Sequence, residues 1–245
     1  MLPVGIALID KPVGPSSFAM VAELRRRTKA RTGHTGTLDP FASGLLVLLS
    51  GAATSLAPCF VGLDKEYETV IDLRRTTSTG DTEGEVSEEH EPLAGAALEE
   101  RLASLRGEIE LPIPAASAVK IDGRRAYQLA REGVVVEMPM RRSTVFALDV
   151  LPTVTEEEGT VRLRLHVSSG TYIRAIATAL GGHCTALRRT AVGAFRIEEA
   201  DPERLISVTE TLERLPEEAI GRVPRHIVDR VLSTEAGALR AAAGA

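Results

Sequence analysis

The chain has 245 residues and a mass of 26.2 kDa, enough for one large domain or a domain with a small appendage. Hydrophobic residues make up 44% and charged residues 26%, which excludes wholesale disorder, while five Phe, three Tyr and no Trp exclude a broad aromatic surface for stacking several bases. A net charge of −5 argues, taken alone, against a polyanion partner, and two Cys, Cys59 and Cys184, cannot build a disulfide framework or a four-thiolate metal site, so a cytoplasmic chain is expected.

Residues 4–10 read as a strand. Ser16 or Ser17 caps a helix running to about Lys29, with Phe18, Val21, Ala22 and Leu24 inward. Arg25, Arg26, Arg27, Lys29 and Arg31 gather at its C-terminal end, where the helix dipole favours positive charge. Residues 31–43 form a polar loop rich in Gly and Thr, 45–50 a strand, 52–60 a short helix and 67–74 an alternating strand with one wetter face. Residues 76–91 are acidic and read as an exposed loop. A helix over 97–105 precedes a break at 112–116, where two of five residues are Pro. A basic helix over 124–132 contains Tyr127 and ends at Gly133. Strands follow at 134–137, 145–151 and 161–167, then a helix over 171–180 and extended chain over 187–197. The tail from Asp201 is helical and polar and frays in its last ten residues. The irregular alternation favours an α+β fold with a mixed sheet. The N-terminus lacks the basic start and long apolar run of a signal peptide, and no stretch approaches the ~20 apolar residues of a membrane helix.

Charge is unevenly spread. Residues 1–50 carry six Lys/Arg against three Asp/Glu, and residues 111–197 carry twelve against seven. The acidic excess lies in residues 51–110, five against fourteen, and 198–245, six against ten. Folding can bring the two basic regions together, or the pattern is ordinary variation along a surface.

The most unusual segment is Gly33-His34-Thr35-Gly36-Thr37-Leu38-Asp39-Pro40-Phe41-Ala42-Ser43-Gly44. Small polar side chains and one His surround a single carboxylate. Asp39 before Pro40 is biased to an extended backbone, and the pair also suits the N-cap and first residue of a short helical turn. Neither a Walker loop nor a dinucleotide fingerprint is present. In Ser168-Ser169-Gly170-Thr171-Tyr172-Ile173-Arg174, the Arg lies near a helix N-terminus, against the dipole. It serves a nearby anion there, or it is a surface Arg on a helix flank. Arg188-Arg189 reaches phosphates or forms a charged strand edge. The three Tyr, Tyr67, Tyr127 and Tyr172, fall near these segments; one of them faces a planar ligand, or all three are half-buried in strands and helices.

Asp10-Lys11-Pro12-x-Gly14-x-Ser16-Ser17, the Asp39 segment, Lys65-Glu66-Tyr67, Ser169 to Arg174 and Leu187-Arg188-Arg189-Thr190 together resemble, in order and spacing, the motif series of TruB-type tRNA pseudouridine synthases. The resemblance runs from about residue 4 to 197. It implies a pseudouridine-synthase fold, a mixed and largely antiparallel sheet flanked by helices. It implies isomerisation of uridine to pseudouridine at position 55 in the T loop of tRNA, by base flipping, without a cofactor or metal. By position Asp39 would be the essential carboxylate, attacking the sugar, attacking the base or abstracting a sugar proton. Tyr67 would lie against the flipped uracil, Arg174 would pair with Asp39, Leu187 would form an apolar wall, and His34 would hold the opened T loop. Lys11-Pro12 would be scaffolding. The expected partner is the tRNA T stem-loop, with no membrane, no obligate protein partner and a monomeric chain.

The resemblance also implies a catalytic domain over 1–200 and a polar helical tail over 201–245. An RNA-gripping insertion over 112–145 would use Lys120, Arg124, Arg125, Arg131, Arg141 and Arg142 against phosphates. Ala116 stands where the family usually has an aromatic, and the family's C-terminal RNA-binding domain is expected to be mostly absent. The link from helix 171–180 to Leu187 looks shortened, and His183-Cys184 is better read as structural than as a metal pair. Two other readings share the scaffold: a guide-RNA-dependent synthase working with protein partners, and a non-catalytic tRNA-binding or folding module.

Overall fold

Leu45, Leu46, Val47, Leu48 and Leu49 carry no polar side chain, and all five are buried within the strand Ser43–Ser50. A run without alternation is what a strand covered on both faces requires. The computed structural model describes residues 4–134, 136–152 and 158–243. They fall into two compact units, Met1–Tyr67 with Arg188–Ala245, and Glu68–Leu187. The chain passes between them within the strands Lys65–Asp72 and His183–Val192.

In the first unit, Ser43–Ser50 pairs antiparallel with Gly5–Lys11, from Gly5 opposite Ser50 to Lys11 opposite Gly44. The short strand Thr32–His34 also pairs with it antiparallel, His34 opposite Leu48. Arg188 and Arg189 add a parallel pairing to Ser43 and Gly44. One face is covered by the helix Ser17–Thr28, capped by Ser16, whose hydroxyl accepts from the Ala19 N–H, and closed by Lys29 in the left-handed region. Its buried residues are Ser17, Val21, Leu24 and Thr28, one side of the helix. Phe18 is 66% exposed and Ala22 is exposed too, correcting their inward assignment: each lies one position off the buried stripe.

The other face builds the main core of this unit from Ile6, Leu8, Val47, Leu49, Phe60 and Phe195. Burying each such side chain contributes about 1.5–3 kcal/mol. Phe60 and Phe195 approach at 5.7 Å between ring centroids, and the Arg214 guanidinium lies 4.4 Å over the Phe195 ring. The long helix Arg225–Ala243 sends Val228 and Val231 into the same core. Its buried Glu235 accepts a 2.6 Å hydrogen bond from the Val208 N–H, at the start of the helix Val208–Glu213. The residues after Asp201 include the helices Val208–Glu213 and Arg225–Ala243, so the chain stays helical through residues 236–243, where fraying was expected; Gly244 and Ala245 lie outside the described residues.

In the second unit, Met140–Leu151 pairs antiparallel with Thr160–Val167 on one side and Gly107–Pro112 on the other. A register shift between Val145 and Ala147 leaves Phe146 out of the ladder and exposed. Leu148 faces Leu165 and Ser143 faces Ile109. Glu68 accepts from Arg162 at 2.7 Å and Arg164 at 3.2 Å. The helices here are Gly95–Ser104, Ala126–Arg131 and Ile173–Ala179.

Three further expectations change. Residues 31–43 are not all loop, because Thr32–His34 joins the sheet edge. Residues 76–91 contain a hairpin of Arg75–Thr77 with Val86–Glu89, and Thr77 and Asp81 within it are buried. No strand forms at residues 134 and 136–137, while Val135 lies outside the described residues. Their Val-rich sequence has strand propensity but no pairing partner there, and propensity without a ladder does not make a strand. The architecture is α+β with a largely antiparallel sheet, as the sequence led us to expect.

Candidate active site

The loop that carries Asp39 lies between two paired strands, so its backbone groups must find partners outside a ladder. Five consecutive carbonyls do so within the first unit. The Gly36 carbonyl accepts from Arg189 Nη2 at 3.1 Å and the Thr37 carbonyl from Arg189 Nη1 at 3.4 Å. The Leu38 carbonyl accepts from the Ser17 hydroxyl at 2.9 Å, while the same hydroxyl accepts from the Leu38 N–H at 2.8 Å. The Asp39 carbonyl accepts from the Ala42 N–H at 3.1 Å, which closes a turn. The Pro40 carbonyl accepts from the Gly14 N–H at 2.8 Å and from Lys11 Nζ at 3.4 Å. Leu38 is buried and Asp39 is half-buried. The backbone on both sides of the carboxylate is therefore held, and Asp39 opens the turn whose corner is Pro40-Phe41, as its Asp-Pro pair foreshadowed.

Lys11 is fully buried, and its ammonium also donates to the carbonyls of Pro12 and Pro15, each at 2.8 Å. Burial pushes its pKa down, and the nearby negative charge of Asp39 opposes that fall. His34 ends the strand Thr32–His34, with Nδ1 buried and unbonded. Burial, then the positive charge of Arg189, lowers its pKa, which favours the neutral imidazole. Tyr67 is buried on the strand Lys65–Asp72. Two residues before it, the buried Lys65 ammonium donates to the Leu63 carbonyl at 2.5 Å and the Val61 carbonyl at 3.3 Å. Arg188 makes a paired contact with Asp10 at 2.7 and 3.0 Å.

In the second unit, Arg174 lies in the first turn of Ile173–Ala179 and is buried. It serves an anion rather than solvent: Nη1 stands 3.4 Å from Asp81 Oδ2, and both side chains are only 4% exposed. Its guanidinium also donates to the carbonyls of Thr79 at 2.8 Å and Ala116 at 2.9 Å. Asp81 is the residue missed by the sequence reading, hidden in a run taken as exposed. Its signal was the Thr79-Gly80-Asp81-Thr82 turn: Asp81 Oδ1 accepts from the Thr79 hydroxyl at 2.5 Å and the Glu83 N–H at 3.0 Å. That leaves Oδ2 facing the arginine. Gly80, at φ +72°, brings the chain against the Arg174 backbone, where a side chain would crowd it. Leu187 is buried on His183–Val192.

Among the described residues, the basic side chains of the insertion, Lys120, Arg124, Arg125, Arg141 and Arg142, are surface groups. Lys120, Arg124 and Arg125 lie on a tight hairpin whose Asp122-Gly123 corner has φ of +50° and +83°, as a twisted two-residue turn requires. Arg124 pairs with Glu132 at 2.5 Å, and Arg142 with Glu110 at 3.4 Å. Arg141 is exposed on Met140–Leu151, and its guanidinium end lies beside Gly170. Arg131 ends the helix Ala126–Arg131; its side chain is not among those described. His183 Nδ1 lies 3.2 Å from the Arg75 carbonyl, and no group of three or more potential ligands is assembled for a metal among the described residues. No helix among them is long and apolar enough to cross a membrane.

The sequence that builds this loop and scaffold matches, over residues 25–173, the N-terminal domain of the TruB family of pseudouridylate synthases. The chain belongs to that family. The tRNA pseudouridine synthase B of Corynebacterium jeikeium (strain K411) is 42% identical over 233 residues, 86% of this chain and 76% of that protein. The enzyme of the same name from Leifsonia xyli subsp. xyli is 45% identical over 213 residues, 82% and 70% of the two chains. Among solved structures, a chain of a Cbf5-Nop10-Gar1 complex matches with a TM-score of 0.61 and 27% identity, covering 86% of this chain and 54% of that one. An H/ACA RNP bound to a substrate RNA containing 2'-deoxyuridine matches at 0.59 and 22%, which shows the fold. The chain spans less than two thirds of both solved chains.

Proposed function

We propose that this chain converts uridine to pseudouridine at position 55 in the T loop of tRNA. The family and the names of the relatives support a tRNA pseudouridine synthase, an isomerase. The observation that carries the reading is the Asp39 loop, in which every carbonyl from Gly36 to Pro40 is held by a donor. The reaction moves one glycosidic bond, from N1–C1′ to C5–C1′, with no net redox change. A carboxylate fixed in place is what either attack or proton abstraction needs.

In this reading the target base leaves its stack at a cost of a few kcal/mol. Tyr67 then offers it an aromatic face and Leu187 an apolar wall. His34, neutral, helps hold the opened loop, and Lys120, Arg124, Arg125, Arg131, Arg141 and Arg142 grip phosphates. The pairing of Arg174 with Asp39 that the resemblance implies stands as part of the proposal. So do cofactor-free catalysis, a monomeric chain that works in the cytoplasm without a protein partner, and a catalytic domain over 1–200 followed by a tail over 201–245.

The test is Asp39→Asn. Pseudouridine mapped in a T-stem-loop transcript should disappear while binding of that transcript and the fold persist. A folded variant that binds and still converts uridine would remove Asp39 from the chemistry. Conversion of the bare stem-loop by the wild-type chain would exclude dependence on a guide RNA, and a single-turnover assay separates an enzyme from a binding module.

A further inference from the structure

Arg189 is 2% exposed, and its hydrogen bonds among the described residues go to backbone carbonyls. Nε donates to Leu45 at 2.8 Å, in the middle of the strand pairing, while Nη1 and Nη2 donate to Thr37 and Gly36 in the loop that leads to Asp39. Burying a guanidinium costs several kcal/mol after relaxation, so an apolar residue of similar size would serve stability as well or better. What an apolar residue cannot do is hold a strand and a loop with one planar fork.

The base of that fork is itself fixed. Arg189 pairs in parallel with Gly44, and the two backbones come so close that a side-chain carbon at Gly44 would lie 2.2 Å from the Arg189 carbonyl oxygen. Gly44 has φ +105°, outside the range of ordinary residues. The side chain thus reaches the loop from a rigid support. The other donors to the loop, Ser17, Gly14 and Lys11, hold residues 38 and 40, on either side of Asp39. Only Arg189 holds residues 36 and 37 among them.

We infer that Arg189 is a positioning residue for the reaction, fixing through the Gly36 and Thr37 carbonyls the approach of the loop that presents Asp39. This rests on the reading of Asp39 as the essential carboxylate. Loss of the fork lets the loop relax without removing any group that meets the substrate. A misplacement of about 1 Å at a reacting group costs on the order of 100-fold in rate.

The test compares wild type, Arg189→Gln, Arg189→Lys and Asp39→Asn on a T-stem-loop transcript. Single-turnover rate constants for pseudouridine formation are measured beside transcript Kd and thermal unfolding. Arg189→Gln should lose about 100-fold in the rate constant with Kd little changed. Arg189→Lys keeps the charge but not the fork and should stay at least about tenfold slow. If Arg189→Gln fails to fold, Arg189→Lys decides. A wild-type rate in a folded Arg189→Gln or in Arg189→Lys overturns the inference. A loss that lies wholly in Kd overturns it too, making Arg189 an RNA contact. A wild-type rate in Asp39→Asn is a separate result that sinks the reading of Asp39 itself.

Discussion

Lys65 shows how much the interior around the site is charged. Its pKa falls to about 8, from burial first and then from the positive charge of Arg189, with Asp64 opposing and Arg222 adding to the fall. A lysine whose pKa is lower in the folded chain binds its proton less tightly there than in the unfolded chain. Between about 8 and 10.5 the unfolded state therefore holds more protons, and stability rises with pH in that window. Below it the full cost of the buried charge is present. One group contributes at most about 1.4 kcal/mol per pH unit. Urea unfolding of wild type and Lys65→Met at several pH values should show this rise in wild type alone; parallel curves would mean that Lys65 is not strained. Ser17 gives a second residue-level outcome. Its hydroxyl both gives to and takes from Leu38, so Ser17→Ala should cost about 1–3 kcal/mol in stability and slow the reaction. An unchanged unfolding midpoint would show that water replaces it.

At the level of elements, Glu68 binds two arginines of the neighbouring strand, Arg162 and Arg164. Its carboxylate is held below the usual range by the hydrogen bond from Arg162 first; burial opposes the fall and the bond from Arg164 adds to it. The sign is opposite to that of Lys65. Its stabilising contribution is complete above about pH 4.5, the unfolded value, and is lost as pH falls through the lower folded one. Arg162→Ala should flatten that acid limb in thermal unfolding, whereas an unchanged limb would assign it to other carboxylates. Gly44 makes a harder demand: Gly44→Ala places a carbon against the Arg189 backbone and should lower the unfolding midpoint by several degrees or prevent folding. These features also mark what the sequence could disclose. The strand Ser43–Ser50 and the cap at Ser16 were legible because each is written in a local pattern, a continuous apolar run and a hydroxyl before a helix. The burial of Asp81 was not, because a carboxylate in an acidic stretch looks solvated until the chain brings Arg174 to it. Nor was the role of Arg189 beyond its place in a motif. Its partners are the backbones of residues 144 to 153 positions away, which carry no side-chain signal. Residues 134, 136 and 137 form no strand for the converse reason, since their sequence favours extended chain but has no ladder there to join.

For the molecule as a whole, a net charge of −5 and a polyanionic substrate look incompatible only while charge is summed over the chain. Lys120, Arg124, Arg125, Arg141 and Arg142 are exposed within the second unit, and residues 112–145 carry six basic side chains against three acidic ones. The acidic excess is carried elsewhere, much of it by the exposed strand Val86–Glu89 and its flanks. A local basic surface on an acidic chain predicts a specific form of salt dependence. Each phosphate neutralised releases counterions, and the slope of log K against log salt is about −0.9 per phosphate on a duplex and about −0.7 on a single strand. Two of the cations already have carboxylate partners, Arg124 with Glu132 and Arg142 with Glu110, so an RNA must displace those contacts or share them. Exposed pairs of this kind are worth only about 0–1 kcal/mol, a small barrier to such exchange. The measured slope for a T-stem-loop transcript should therefore be steep. It should become shallower by roughly 0.7–0.9 for each of Lys120, Arg125 and Arg141 changed to Gln, if each meets one phosphate. The single-turnover rate at saturating RNA should hold for Lys120 and Arg125. Arg141 differs, because its guanidinium lies over Gly170 at the start of the segment that leads to Arg174. Arg141→Gln should lower both the slope and the saturated rate. If all three variants left the slope unchanged, the grip on RNA would lie outside the insertion.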